Sequence, residues 1–357
     1  MASESSVTSW THTKRRCVIF FMSALYTVVQ VPVKVLGSFA NHRNGAGYFA
    51  DPLGKPSLLT YWRSLIAFSF DALFLRRKLP ADLAHAAVED SGDGVVVVDK
   101  GSHMEFTPPG QRQEQEPAAE GATDQPLVGV VILPGAFVPP LAYAPLARAM
   151  ARKGHPSYVV RFDFDIAFYG WERIGEIIAP VATLPTADDN AAAAAAAAAG
   201  TTTAERKGEA ESFRAASSTT PTKWVLVGHS MGAVAIEAWH PKNSARVHGI
   251  AYMGAGNTIG DALAGADVPA MVLRGSRDPF TPPEAMEKSA HKLPKDTETV
   301  VVEGGNHRGF AHYTHQPLDW EATITPQEQQ GIVVDVLVDF IGRRVVAGGT
   351  STASTSS

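Results

Sequence analysis

Trp224-Val225-Leu226-Val227 runs directly into Gly228-His229-Ser230-Met231-Gly232, and that pentapeptide into Ala233-Val234-Ala235-Ile236-Glu237-Ala238-Trp239. The first segment is apolar throughout, as a strand buried on both faces of a parallel sheet must be. The last reads as a helix. A serine between two glycines at such a junction sits in a strained strand-to-helix turn, where strand and helix press on the backbone. Side chains at 228 and 232 would clash there, and the strain lifts the Ser230 hydroxyl out at the top of the sheet. Ser230 is therefore the candidate nucleophile.

Such a turn needs further parallel strands, and the pattern supplies them. Gly129–Leu133, Ser157–Arg161, Gly249–Met253, Ala270–Leu273 and Thr299–Val302 are β-rich and alternate with helical segments, which predicts a mostly parallel sheet flanked by helices. Gly94–Val98 and Met104–Phe106 read as short strands around Lys100-Gly101, and Pro108–Pro126 as a loop. Pro145–Lys153 is a helix with Pro in its first turn and Gly154 at its stop. Pro326–Ile341 is the last helix, with Ile332, Val333, Val336, Leu337 and Phe340 at helical spacing. The alanine run Ala191–Ala199, flanked by Thr and Ser clusters, marks a low-complexity insert at about 185–222, predicted to be mobile and dispensable for catalysis. The predicted domain spans 91–345, with disordered ends at 1–16 and 346–357.

A serine hydroxyl is a weak nucleophile and needs a base, itself oriented by an acid. Asp278 lies just past the Ala270–Leu273 strand and His307 just past Thr299–Val302. Both positions fall on the sheet edge where Ser230 emerges, in the chain order Ser, Asp, His. Glu284 is the alternative acid. An oxyanion needs donors, and the backbone N–H groups of Met231 and Ala136 are the candidates, with Phe137 next. Phe137, Tyr143 and Phe168 are expected to line an acyl pocket. His229 reads as a packing or loop-bonding residue. These residues point to cleavage of a carboxylic ester, with lipid esters favoured by the apolar N-terminus. An acyltransferase or thioesterase on the same residues, or a non-catalytic interaction protein, is the alternative.

Four blocks resemble the α/β-hydrolase fold-5 group, relatives of dienelactone hydrolase: Leu133–Ala149, Gly228–Gly232, Arg274-Gly275-Ser276-Arg277-Asp278 and Glu303-Gly304-Gly305-Asn306-His307. The stretches Gln316–Thr325 and Gln327–Gln330 match as well. The resemblance runs from about Gly94 to Ile341, leaving out the N-terminal region and the insert. It implies the α/β-hydrolase fold. In that fold a lid often enters after the Gly249–Met253 strand, and the short connection here predicts no large cap domain. Dienelactone hydrolase uses a cysteine nucleophile where this chain has Ser230, so dienelactones are not the expected substrate.

Other chemistries are disfavoured. The net charge of −5 comes without a dense basic stretch, so no nucleic-acid partner is expected. With one cysteine, Cys17, no internal disulfide can form. Gly254–Gly260 has the spacing of a dinucleotide loop, but the crossover behind it is too short for the helix such a site needs. No cofactor is expected. His307, His312 and His315 lack partners at zinc-like spacing, so no metal is expected either. Lys14-Arg15-Arg16 precede an uncharged, mostly apolar run from Cys17 to Val33, which is at the short limit for a membrane span. It predicts a membrane anchor at 17–36, with a cleaved signal peptide or a buried helix as alternatives. An anchor would leave the catalytic domain lumenal or exterior, in an endomembrane setting. Leu58–Leu75 reads as an amphipathic helix within a helical membrane-proximal region at 37–90. Oligomeric state is left open.

Overall fold

The computed structural model describes residues 80–110, 126–178, 221–257, 259–316 and 318–348. They begin with a short helix, α1 (Asp82–Ala86), and two strands, β1 (Val96–Asp99) and β2 (His103–Thr107). Then follow β3 (Val128–Leu133), α2 (Ala144–Arg152), β4 (Ser157–Val160) and the single turn α3 (Ile174–Ile177). β5 (Lys223–His229), α4 (Gly232–Trp239), β6 (Gly249–Met253) and β7 (Ala270–Gly275) come next. The chain continues through α5 (Pro283–Ser289), β8 (Glu298–Val302) and α6 (Pro326–Phe340).

The strands form one sheet in the order β1-β2-β4-β3-β5-β6-β7-β8. β2 runs antiparallel to both neighbours, and every other pairing is parallel. This is the mostly parallel sheet that the sequence pattern predicts, in the α/β-hydrolase arrangement that the resemblance implies. Successive residues of a strand face opposite sides, and each side has its own core. Val130 and Ile132 of β3 pack with Leu146 and Met150 of α2 and with Val333, Leu337 and Phe340 of α6. Val131 and Leu133 pack on the other side with Ile236 and Trp239 of α4. Ile332, expected on the apolar face of α6, is 40% exposed. The helix starts at a reciprocal cap, in which Thr325 accepts from the Glu328 N–H and Glu328 accepts from the Thr325 N–H.

Parallel strands place their C-terminal ends on one edge, and β3, β5, β7 and β8 deliver the Ala136, Ser230, Asp278 and His307 loops to it. The connection from β6 to β7 runs only from Gly254 to Pro269, too short to hold a cap domain at that point.

The packed body includes residues before 91. Pro80 bridges to Tyr313, and Ala84 is fully buried. Arg148 of α2, itself 3% exposed, donates to the Ala87 and Glu89 carbonyls, to Ser91 and to both oxygens of Asp93. Membrane attachment and an endomembrane location are corrected here. Among the described residues no helix is long and apolar enough to cross a membrane. Ala87 and Val88 also pack against the core, so residues within 80–90 join the same body. The segments 17–36 and Leu58–Leu75 lie outside the described residues, as does nearly all of the insert at 185–222.

Arg148→Met removes five donations at once and leaves Asp93 without its main partner. Breaking a buried ion pair on one side costs on the order of 3 kcal/mol, so urea unfolding of the variant is expected to show a loss of about that size. The Arg148 bond also holds the Asp93 carboxyl well below the usual carboxylate range. Its stabilisation is therefore present above about pH 4 and is lost as pH falls through the lowered folded value. The gap between the wild-type and Arg148→Met stabilities should narrow in acid, leaving the part due to the three donations to neutral acceptors.

Candidate active site

Ser230 follows the last residue of β5 and has φ +52°. Its N–H donates to the Met253 carbonyl at the end of β6, at 2.9 Å, and its carbonyl accepts from the Ala233 N–H at 3.2 Å. The turn is thus bonded on both sides. Its glycines are set by close approach. A Cβ at Gly232 would lie 2.1 Å from the Leu133 carbonyl oxygen, and one at Gly228 would lie 2.9 Å from the Ala233 nitrogen. Both would collide with backbone, which cannot move aside.

His307 and Asp278 meet at the same edge. The His307 Nδ1 is 2.9 Å from Asp278 Oδ2, and both side chains are essentially inaccessible. The other oxygen, Oδ1, accepts from the Phe280 N–H at 2.8 Å. A carboxylate only accepts, so the ring proton sits on Nδ1 and the Nε2 lone pair of the neutral imidazole stays available. The Phe280 ring lies 4.6 Å from the His307 ring between centroids, and the His229 ring lies 4.8 Å from it. The second contact ties the residue before Ser230 to His307. Gly254 closes the back of the pair, since a Cβ there would sit 2.9 Å from His307 Nδ1 and 3.0 Å from Asp278 Oδ2. Of the glycines in the apparent dinucleotide loop, Gly254 thus packs against these two side chains, while Gly256 lies against Met286 and Val272 and Gly260 against Glu237. Glu284, the alternative acid, is exposed on α5.

The loop after β3 crosses the turn closely, with a Gly135 Cβ position 3.3 Å from Ser230 Cβ. Its N–H groups are mostly engaged. Gly135 donates to the Tyr143 hydroxyl at 2.8 Å, Phe137 to the Asp165 carbonyl at 2.7 Å and Val138 to the Gly135 carbonyl at 3.2 Å. Among the described residues, the Ala136 and Met231 N–H groups donate no hydrogen bond. Phe137 itself has φ +59° and is half-buried. Phe168 is 56% exposed. Tyr143, grouped with them in the sequence, is fully buried. Its hydroxyl accepts from Gly135 and lies 2.6 Å from His229 Nδ1. Each group is satisfied if the phenol proton goes to His229, which makes that nitrogen an acceptor. Burial raises the Tyr143 phenol well above its ordinary value, so the proton stays on it.

Several contributors to this edge were not singled out from the sequence. Gln329 of α6 accepts from the Asn306 N–H at 3.0 Å and donates to the Asn306 carbonyl at 2.8 Å, while Asn306 Oδ1 accepts from Gly309 at 3.0 Å. Asp319 accepts from the His307 and Arg308 N–H groups. These residues lie in the Gln316–Gln330 tail and the Glu303–His307 block, whose likeness to relatives was the only sequence signal for them.

The family model described as the alpha/beta hydrolase family matches residues 129–187 and 207–331. The chain belongs to that family, in its fold-5 group. No curated protein matches the chain. Among solved structures, a serine hydrolase without a lid from Xanthomonas campestris is 14% identical, covering 70% of this chain and 94% of that one with a TM-score of 0.40. Dienelactone hydrolase from Anabaena variabilis is 13% identical, covering 70% and 95% with a TM-score of 0.39. A monoacylglycerol lipase from Paleococcus ferrophilus is 14% identical, covering 67% and 98% with a TM-score of 0.38.

Tyr143→Phe keeps the ring and removes the hydroxyl, leaving the Gly135 N–H and His229 Nδ1 without it. Unsatisfied buried groups cost about 1–3 kcal/mol each. Urea unfolding is expected to show a loss of about 2 kcal/mol, whereas a change below about 0.5 kcal/mol would mean that the hydroxyl braces nothing.

Proposed function

We propose that the protein cleaves carboxylic esters through an acyl-enzyme formed on Ser230, with His307 as general base and Asp278 as its orienting acid. The observation that carries this reading is the buried 2.9 Å bond between His307 Nδ1 and Asp278 Oδ2 on the sheet edge of the Ser230 turn. It holds the imidazole in the tautomer whose Nε2 can take a proton. Ser230 Oγ attacks the ester carbonyl as its proton passes to Nε2, forming the Oγ–C bond and an oxyanion. The N–H groups of Met231 and Ala136 receive that oxyanion, a role supported by their lack of other acceptors among the described residues. Collapse breaks the bond to the alkoxy group, which leaves as an alcohol with the proton from His307. Water then gives a proton to His307 and attacks the acyl carbon, and the carboxylic acid departs as Ser230 recovers its proton.

The expected preference for lipid esters rested on the apolar N-terminus and is not carried forward. Phe137 and Phe168 are proposed to contact the acyl group, because the loops after β3 and β4 bring them toward the Ser230 edge. Tyr143 contributes by shaping the first of these loops.

A fluorophosphonate probe tests the reading. Wild-type protein should be labelled and Ser230→Ala should not; equal labelling of the two would falsify it. Asp278→Asn keeps the shape but disturbs the His307 tautomer, and kcat on an activated ester should fall roughly 10³–10⁴-fold. Competition between water and added alcohols then separates hydrolysis from acyl transfer. Ester products dominating at low alcohol concentration would replace the hydrolase with an acyltransferase.

A further inference from the structure

The His307 loop is held on its backbone side by a carboxylate that has no part in the mechanism above. Asp319 Oδ1 accepts from the His307 N–H at 3.2 Å and from the Trp320 N–H at 3.1 Å, and Oδ2 accepts from the Arg308 N–H at 2.8 Å. The same segment is fastened again where Asn306 Nδ2 donates to the Trp320 carbonyl at 2.7 Å. Asp319 thus grips the residue whose ring Asp278 grips from the other end.

We propose that Asp319 is a second positioning residue for His307, acting in its ionised form through the backbone of the loop as Asp278 acts through the ring. The inference rests on the hydrolase reading above and deepens it. Three N–H groups converge on its two oxygens, so every bond needs an acceptor. A protonated carboxyl presents a hydroxyl at one oxygen, and the N–H facing that oxygen then loses its acceptor. Protonation therefore loosens the loop at His307 and Trp320 or at Arg308. The charge has a second effect. A carboxylate near His307 favours the imidazolium that forms as Ser230 attacks.

The groups facing Asp319 are His307 and Arg308 on their own loop, Asp278 from the loop after β7, and Tyr313 from the segment before it. Burial pushes the Asp319 carboxyl up to about 7, the nearby Asp278 pushes the same way, and His307 with the backbone donors opposes them. Asp319 thus changes charge near neutral pH. The competent state has Asp319 as carboxylate and the His307 Nε2 free to accept a proton.

The test is the rate of fluorophosphonate labelling of the full-length protein between pH 5 and 9, with ester kinetics alongside. The acid limb of the wild-type rate is expected to carry one proton more than the general base alone requires, the added proton being that of Asp319 near pH 7. Asp319→Asn should reduce the slope to about 1 and lower kcat at pH 8 by at least ~10-fold, with KM within about twofold. Asp319→Glu should restore the steeper limb. A one-proton limb in the wild type, or an Asp319→Asn protein with unchanged limb and kcat, overturns the proposal while leaving Ser230 chemistry intact. If Asp319→Asn does not fold, the wild-type slope decides alone. A wild type that takes no label overturns both readings together.

Discussion

The close approach of two backbones sets the rest of this structure. Gly232 stands where the end of β3 leaves no room for a side chain, and Gly228 stands against the start of α4. These contacts let β5 turn sharply into a helix with a non-glycine residue at φ +52° between them. A left-handed conformation at a serine costs on the order of 1–3 kcal/mol and persists only where the surroundings impose it. Here the imposition comes from β6 through the Met253 carbonyl, from α4 through Ala233, and from the packing on β3. The sheet is the clamp that keeps the turn strained.

The same clamp explains what was legible in the sequence. Strands buried on both faces write themselves as unbroken apolar runs, so β3, β5, β6 and β7 could be placed within a few residues. The glycine pair around Ser230 reports a steric demand that few other arrangements make. Asp278 and His307 could be located because each sits a fixed short distance past a legible strand. Asp319, Asn306 and Gln329 were harder. They act from a loop and from a helix flank, through backbone groups, and a side chain that bonds to backbone imposes no periodicity. Tyr143 illustrates a different difficulty. An aromatic residue near a site looks like pocket lining, yet its polar end joins a glycine amide to an imidazole far away in the chain, and only three-dimensional structure brings those groups together. The N-terminal apolar segment posed the opposite problem, because its composition supported a membrane role to which no described helix lends weight.

The polar groups of this edge divide into two circles. The inner one comprises Ser230, His307, Asp278 and the two unengaged N–H groups, all delivered by strand ends. The outer one, Tyr143, Asn306, Asp319 and Gln329, fixes loops rather than reacting groups. Residues of the outer circle satisfy backbone donors and acceptors that burial would otherwise leave unpaired. That requirement makes the loops stiff, and in the proposed mechanism stiffness at the base and nucleophile converts encounter into reaction.

The sheet order has a consequence for how the chain reaches this state. β3 and β5 are neighbours, yet β4, α3 and the whole alanine-rich stretch lie between them in sequence. That separation bears on kinetics. Pairings between distant segments form slowly, and the Ser230 turn cannot be clamped before β3 and β5 have met. Ser230 is therefore expected to be among the last features of the protein to acquire its native geometry.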